Sequence, residues 1–181
     1  MAVALAFAVA GCGGGKDGKA DTGSSSQSKS SSSGNDQQPD TSAASPDPAV
    51  KLAQATGEGG VVLTINSVKR DSGGFLTVAG QVKNTGADDF VATSPWAGTE
   101  RDVLASGDSV AGATLVDKVG KKRYYVLRDT GGKCLCTMGI SSIKAGQTVP
   151  VFAQFPAPPN GTKQVDFQLP TFPTMTVPVS G

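Results

Sequence analysis

Short runs in which apolar and polar residues alternate follow one another from residue 61 to the end of the chain. A period of two places every second side chain on one face of a β-strand, and no segment here shows the period of 3.6 that indicates an α-helix. Strands are therefore predicted at 61–65, 76–82, 111–119, 124–127, 133–138, 149–155, 165–169 and 175–179. The turn sequence Asp71-Ser72-Gly73-Gly74 joins the first two strands into a hairpin.

Seven or eight short strands at this spacing predict an all-β fold, an immunoglobulin-like β-sandwich whose two sheets each bury one face. Proline cannot donate a hydrogen bond to a neighbouring strand. Pro150 and Pro178 are therefore expected in edge strands or at strand ends. The sandwich is assigned to residues 51–181, which are enough to bury a core without a metal or a disulfide framework.

The first 50 residues lack this alternation. Residues 2–10 form an apolar run, which is too short for the roughly 20 residues that cross a bilayer but suits the hydrophobic region of a signal peptide. The positive residues that normally precede such a region are missing, so we expect the translation start to lie upstream of Met1. Residues 12–50 are rich in Gly, Ser, Asp, Lys and Gln and contain no aromatic residue, a composition typical of a disordered tether.

The sequence Val9-Ala10-Gly11-Cys12 resembles the lipobox of bacterial lipoproteins, in which small residues precede the cleavage site. The resemblance implies that residues 1–11 are removed as a lipoprotein signal peptide and that a diacylglyceryl group is attached to Cys12. Such a group carries the two hydrophobic chains that stable anchoring needs. The chain is therefore expected on the extracytoplasmic face of the cell membrane.

Two stretches, Val-Lys-Asn-Thr-Gly at 82–86 and Ile-Lys-Ala-Gly-Gln at 143–147, resemble the extracellular immunoglobulin-like domains of actinobacterial lipoproteins and of secreted immunoprotective antigens. The resemblance covers residues 61–179 and carries no catalytic motif. It implies a β-sandwich of binding or unknown function. The sequence lacks the Cys…Trp…Cys arrangement of antibody domains.

Charge and histidine content exclude several classes of function. The part from residue 50 onward holds 13 Lys and Arg against 10 Asp and Glu, too small an excess for the electrostatic footprint that nucleic acid binding requires. The chain contains no histidine, which removes Ser-His and Cys-His nucleophile pairs, His-ligated metal sites and imidazole proton transfer. We therefore expect no catalytic residues, no nucleic acid partner and no cofactor, apart from one alternative.

That alternative concerns Cys134, Cys136 and Met138, which lie two residues apart on one predicted strand, so that their side chains are expected on the same face. With Cys12 assigned to lipid, three interpretations of the remaining cysteines stay open. Oxidising surroundings favour a disulfide, which needs a local kink because the α-carbons of residues i and i+2 in an extended strand lie near the upper limit for such a bond. The cysteines can also be free thiols packed in the core. With Met138 they can form a thiol-exchange or Cu(I) site.

Two further features have both a structural and a binding interpretation. Trp96, the only tryptophan, lies in the long segment before the third strand, where it is expected either as a core or loop anchor or as a binding contact. Four cations bracket the turn that follows this third strand: Lys118, Lys121, Lys122 and Arg123. They are expected either as solvated turn residues or as a contact for anionic wall polymer or phospholipid headgroups.

The leading functional hypothesis from the sequence is a non-enzymatic surface module. In this hypothesis a lipid on Cys12 and a flexible tether hold the sandwich, whose loops bind a cell-wall polymer, a surface protein or a small ligand. The alternative is an envelope thiol-redox or Cu(I)-binding protein that uses Cys134, Cys136 and Met138.

Overall fold

The computed structural model of the chain describes residues 47–100 and 106–181, which form two antiparallel β-sheets packed around a shared core. The predicted signal peptide, Cys12 and residues 13–46 of the predicted tether lie outside the described residues. The helical segments of the described part are two short 3₁₀ turns, Glu58–Gly60 and Ser94–Ala97. No helix among these residues is long and apolar enough to cross a membrane.

Each sheet has four strands. The strands are β1 Ala53–Thr56, β2 Val61–Arg70, β3 Phe75–Asn84, β4 Thr114–Asp117, β5 Lys122–Tyr125, β6 Thr148–Pro156, β7 Gln164–Gln168 and β8 Met175–Pro178. The first sheet has the order β1-β2-β3-β6 and the second the order β5-β4-β7-β8. The all-β sandwich predicted from the alternation is therefore confirmed.

Pairings between strands that are not consecutive identify the arrangement as immunoglobulin-like. β3 pairs with β6, and β4 pairs with β7. In an immunoglobulin sandwich these are the pairings of strand B with strand E and of strand C with strand F. The strands β2 to β8 then correspond to A, B, C, C′, E, F and G, with β1 added beside A. The second sheet is thus the C′CFG sheet.

The hairpin of β2 and β3 follows from local signals. The Asp71 carboxylate accepts a hydrogen bond from the Gly73 amide at 2.9 Å, which closes the predicted turn. One extra residue in β2, Asn66, produces a β-bulge opposite Gly80. A side chain at position 80 would not fit, because a Cβ there would overlap the Thr64 carbonyl oxygen.

The inward-facing residues of both sheets form one hydrophobic core. Its largest fully buried side chains include Trp96, Phe155, Leu63, Ile65, Leu76, Leu115, Ile143 and Leu169. Pro150 lies in β6, an outer strand of the first sheet, and Pro178 ends β8, an outer strand of the second. Both prolines therefore occupy the edge positions predicted for residues without an N–H group.

Some strand predictions are wrong in detail. Residues 133–138 do not form a strand, because Cys134, Cys136 and Met138 each make an isolated bridge to a different segment of the chain. The chain bends at Leu135 between them. β4 is shorter than predicted and β5 begins earlier, while β1 is not predicted at all, since Ala-Gln-Ala-Thr carries too weak an alternation.

Stretches 82–86 and 143–147 meet at Asn84, which is completely buried. Its Nδ2 donates to the carbonyl oxygens of Asp88 and Ile143 at 2.8 and 2.9 Å. Its Oδ1 accepts a hydrogen bond from the Gly86 amide at 2.9 Å, and its backbone N–H donates to the Gln147 carbonyl oxygen at 2.9 Å. One residue therefore ties together the end of β3, the loop that follows and the chain that enters β6.

An Asn84→Asp substitution keeps the size of the side chain but removes both donors, so that two carbonyl oxygens face a carboxylate. We expect the free energy of unfolding to fall by about 2–5 kcal/mol, because each buried polar group without a partner costs about 1–3 kcal/mol. Urea denaturation near neutral pH measures the loss. The same substitution at the exposed Asn160 is the control, and equal small losses in both variants would contradict the role given to Asn84.

Candidate functional site

A groove lies at the end of the second sheet where β4 begins and where β5 and β7 end. Thr114 pairs with Tyr125 on one side and with Gln168 on the other, so these three residues lie side by side across the sheet. Loops that contain Pro95 and Pro170 lie beside them and enclose a cavity of about 330 Å³. They correspond to the B–C and F–G loops, which lie at the end of the sandwich that carries the binding loops in antibody variable domains.

Close contact between two backbone segments forms one wall of the groove. The Gly112 amide donates a hydrogen bond to the Trp96 carbonyl oxygen at 2.8 Å. A Cβ at position 112 would lie 2.6 Å from the Gly98 nitrogen. Only glycine at 112 allows this approach, which holds the chain before β4 against the 3₁₀ turn Ser94–Ala97.

Trp96 packs behind this wall and anchors the loops. Its fully buried indole ring stacks on Phe90 with centroids 5.6 Å apart, and the Phe172 ring lies 5.7 Å away. Its Nε1 donates a hydrogen bond to Thr171 Oγ1 at 2.9 Å. This packing supports the anchor interpretation, and it leaves the indole no exposed surface for a ligand to contact.

The turn at residues 169–172 holds Thr171 in an unusual backbone conformation. The Phe172 amide donates to the Leu169 carbonyl oxygen at 3.1 Å, and Thr171 has a φ of +72°. Glycine or asparagine normally occupies this position of a type II turn, and positive φ is strained for a β-branched residue. Threonine supplies the hydroxyl that accepts the hydrogen bond from the Trp96 indole, and glycine has no such group.

Two arginines and a tyrosine give the groove its chemical character. Arg123 and Tyr125 alternate along β5 and share its outer face, where Tyr125 is 51% exposed. Arg128 follows β5, and its Nη2 lies 3.2 Å from Glu100 Oε2. Within the described part of the chain, Arg123 forms no ion pair. The described residues that line the groove therefore carry a net positive charge and present the exposed guanidinium group of Arg123.

The other cations of the predicted basic turn lie elsewhere. Lys118 Nζ lies 2.7 Å from Asp166 Oδ2, and this contact is the main cause of the lowered pKa of Asp166. Lys121 and Lys122 lie with Lys118 at the opposite end of β4 from the groove. Of the four cations, Arg123 alone lines the groove.

Arg128 links the groove to the cysteine segment. The groove continues into a second depression of about 570 Å³, which Arg128 also lines. Arg128 and Cys134 form a β-bridge, and the Leu135 amide donates to the Leu127 carbonyl oxygen at 2.8 Å. The segment also follows β6, since the Gln154 amide donates to the Leu135 carbonyl oxygen at 3.0 Å. The cysteine segment thus positions the backbone that carries Arg128.

Cys134 and Cys136 form a disulfide, the first of the three interpretations, with their α-carbons 5.2 Å apart. The bend at Leu135 supplies the kink that such a bond requires. Both cysteines are buried whereas Met138 is 47% exposed, so Met138 does not share one face with the cysteines as the sequence predicts. In this oxidised state neither sulfur is a thiolate that could bind Cu(I).

Sequence reasoning finds Trp96 and the cysteine pair but misses most of the groove. Glu100, Arg128 and Gln168 come from three distant segments, and no spacing along the chain connects them. The alternation of Arg123 and Tyr125 on one strand is the signal that could have revealed part of it.

Known proteins do not indicate a function for this groove. Comparison of the chain with known protein families, with curated proteins and with solved structures finds no match. Within residues 47–100 and 106–181, no group of three or more Cys, Asp or Glu side chains is placed to hold a metal ion. The groove is therefore interpreted from its own geometry and charge.

The hydrogen bond between Trp96 and Thr171 can be separated from the strain at Thr171 by two substitutions. Thr171→Val keeps the branched shape but leaves the buried indole N–H without its acceptor, so we expect the free energy of unfolding to fall by about 1–3 kcal/mol. Thr171→Gly loses the same hydrogen bond but relieves backbone strain of about 1–3 kcal/mol. The free energy of unfolding should therefore fall less in the glycine variant than in the valine variant. Denaturation followed by the fluorescence of the single tryptophan measures both, and a larger loss in the glycine variant would contradict this account.

Proposed function

We propose that this chain is a lipid-anchored, non-enzymatic binding module on the extracytoplasmic face of the cell membrane, and that it takes its ligand in the groove beside β5. The lipid on Cys12 holds the chain at the membrane, residues 12–50 form the tether, and the sandwich presents the groove. The observation that carries the proposal is the groove itself. It lies at the end of the immunoglobulin-like sandwich where the B–C and F–G loops meet, and Trp96 fixes its walls.

The shape and lining of the groove support a binding role. Ligand sites are usually preformed concavities of roughly 300–1,000 Å³ that combine apolar walls with a few placed polar groups. Here Pro95 and Pro170 supply apolar wall, while Arg123, Thr114 and Gln168 supply polar groups. Binding residues placed on loops above a rigid scaffold are a common arrangement in β-sandwiches.

The lipobox-like sequence before Cys12 and the disulfide support the proposed location. Disulfides form and persist in oxidising compartments outside the cytosol. The bond between Cys134 and Cys136 is therefore what an exported protein is expected to contain. The tether composition fits a spacer that carries the sandwich away from the bilayer.

Structural roles of the two perturbed aspartates support a non-enzymatic function. Asp117 has a lowered pKa because the Gly120 amide and the Thr162 hydroxyl donate hydrogen bonds to its carboxylate, so it closes the β4–β5 turn. Asp166 is paired with Lys118. Neither carboxylate lines the groove. Together with the lack of histidine, this favours binding over catalysis.

Cell fractionation combined with crosslinking tests anchoring and binding in one experiment. We expect the wild-type chain in the membrane fraction and the Cys12→Ser variant outside it, because the variant cannot carry the lipid. A photoreactive residue at position 168, within the groove, is expected to crosslink a cell-surface component on intact cells. Mass spectrometry of the crosslinked product identifies that component.

A photoreactive residue at the exposed Gln54 of β1, which lies in the other sheet and does not line the groove, is the control for crosslinking. The Cys134→Ser/Cys136→Ser double variant is the control for fractionation, since it should stay with the membrane. Membrane retention of the Cys12→Ser variant after a salt wash would refute the anchoring. Equal crosslinking from positions 54 and 168 would refute the groove as the binding site.

A second candidate function, thiol-redox exchange or Cu(I) binding, is favoured by the unusually small ring that the disulfide closes. Only one residue separates the two cysteines, and closing so short a loop removes little entropy from the unfolded chain. Such a bond is a weak structural staple. Once reduced, Cys134 and Cys136 offer two thiolates, which are ligands that suit Cu(I). The exposed Met138 has to turn toward them to add its thioether.

Competition for Cu(I) with a chromophoric chelator tests this second candidate in the Cys12→Ser background. The oxidised protein is expected to bind no Cu(I), and the reduced protein to bind one ion per chain. A Met138→Leu variant should bind the ion more weakly. Equal Cu(I) uptake by the reduced protein and by the Cys134→Ser/Cys136→Ser double variant would rule the site out.

A further inference from the structure

We propose that the groove binds an acidic saccharide, a sugar ring that carries a carboxylate or phosphate group, with Arg123 as the main anion-binding residue and Tyr125 as the surface on which the ring packs. This inference rests on the proposed function, because it names the ligand class for the same groove.

The charge of the groove selects an anion. Arg123 is exposed and has no ion-pair partner among the residues that the structure describes, and Arg128 lies along the same cavity. A guanidinium group offers a planar fork of N–H donors that matches a carboxylate or a phosphate in a bidentate arrangement. Because Arg123 has no ion pair among the described residues, an anion can bind it there without first breaking such a pair.

The other residues of the groove suit a sugar ring. Tyr125 shares the outer face of β5 with Arg123 and is half exposed, so an apolar ring face and a hydroxyl lie beside the guanidinium. Thr114 and Gln168 lie next to it across the sheet. Their hydroxyl and amide groups can donate and accept hydrogen bonds with neutral hydroxyls. An anion site flanked by an aromatic face and neutral polar groups matches the mixed chemistry of an acidic sugar.

Shape argues for a saccharide rather than a membrane surface. The groove is a recess between the loops that contain Pro95 and Pro170, whereas a bilayer surface requires a protruding contact. An apolar side chain that is 92% exposed, Val119, lies instead in the turn at the opposite end of β4, next to Lys118. A contact with anionic lipid would use that end and would leave Arg123 free.

The negative charge of Glu100 is expected to oppose the binding of an anion in the groove. Its side chain is 61% exposed, and its Oε2 lies 3.2 Å from Arg128 Nη2, so it forms an ion pair with one of the two arginines of the groove. A ligand anion competes with this carboxylate and is repelled by it. Removing its charge should strengthen binding, while removing the charge of Arg123 should weaken it.

Titration calorimetry on the full chain, carrying Cys12→Ser and with its disulfide intact, tests the inference. The probes are trigalacturonate, its methyl ester, glucose 6-phosphate and glucose. We expect at least one acidic probe to bind at least about tenfold more tightly than its neutral counterpart, with an affinity that falls as salt rises. Arg123→Gln should weaken that binding by about tenfold or more, whereas Glu100→Gln should strengthen it.

Three controls keep the outcome interpretable. Arg123→Lys retains the charge without the planar fork and should give intermediate affinity. Lys83→Gln removes an exposed charge from the other sheet and should leave affinity unchanged. Thermal unfolding of each variant shows that the fold is intact.

Several results would overturn the inference: equal affinity for acidic and neutral probes, no binding of any probe, or an unchanged affinity in Arg123→Gln. Binding of phosphatidylglycerol vesicles that depends on Arg123, without binding of either acidic sugar, would assign the groove to lipid instead. If the sugars fail while crosslinking from position 168 still succeeds, the binding module stands and only its ligand class is wrong.

Discussion

Burial of the Trp96 indole is the constraint that orders the B–C and F–G loops at one end of the sandwich. The ring fills the space between Phe90 and Phe172, its Nε1 holds the turn at Thr171, and its carbonyl oxygen holds Gly112. Three segments that are remote in sequence therefore share one anchor. Loops ordered in this way lose their conformational entropy when the chain folds, so a ligand that enters the groove does not have to offset that cost again.

Stretches 82–86 and 143–147, from which the sequence predicts a family resemblance, and the groove consist of different residues. Asn84 and its partners lie inside the sandwich and satisfy one another's backbone groups. These hydrogen bonds give Asn84 a structural role in both stretches, 82–86 and 143–147, and that role requires no ligand. Arg123, Tyr125 and Glu100 lie outside both stretches. A resemblance based on such internal contacts speaks for the fold, whereas binding depends on side chains that can vary around it.

Alternation of apolar and polar residues predicted most of the sandwich, because a strand that buries one face of its sheet has an apolar residue at every second position. The pattern failed at 133–138, where Cys-Leu-Cys-Thr-Met alternates like a strand but the bond between Cys134 and Cys136 accompanies a bend. Periodicity carries no information about such a crosslink. The groove was largely out of reach for another reason: Glu100, Arg128 and Gln168 meet only through the paths of long loops, and those paths depend on tertiary contacts such as that between Gly98 and Gly112.

The irregular cysteine segment also determines how the first sheet meets other molecules. β6 is an outer strand, and hydrogen bonds with Leu127, Leu135 and Thr137 occupy its free side. Exposed strand edges recruit further strands from other chains, and a bent, crosslinked segment is a poor template for such addition. This cover therefore opposes edge-to-edge aggregation of the sandwich. A disulfide that adds little to the stability of a single molecule can therefore help to keep many molecules apart.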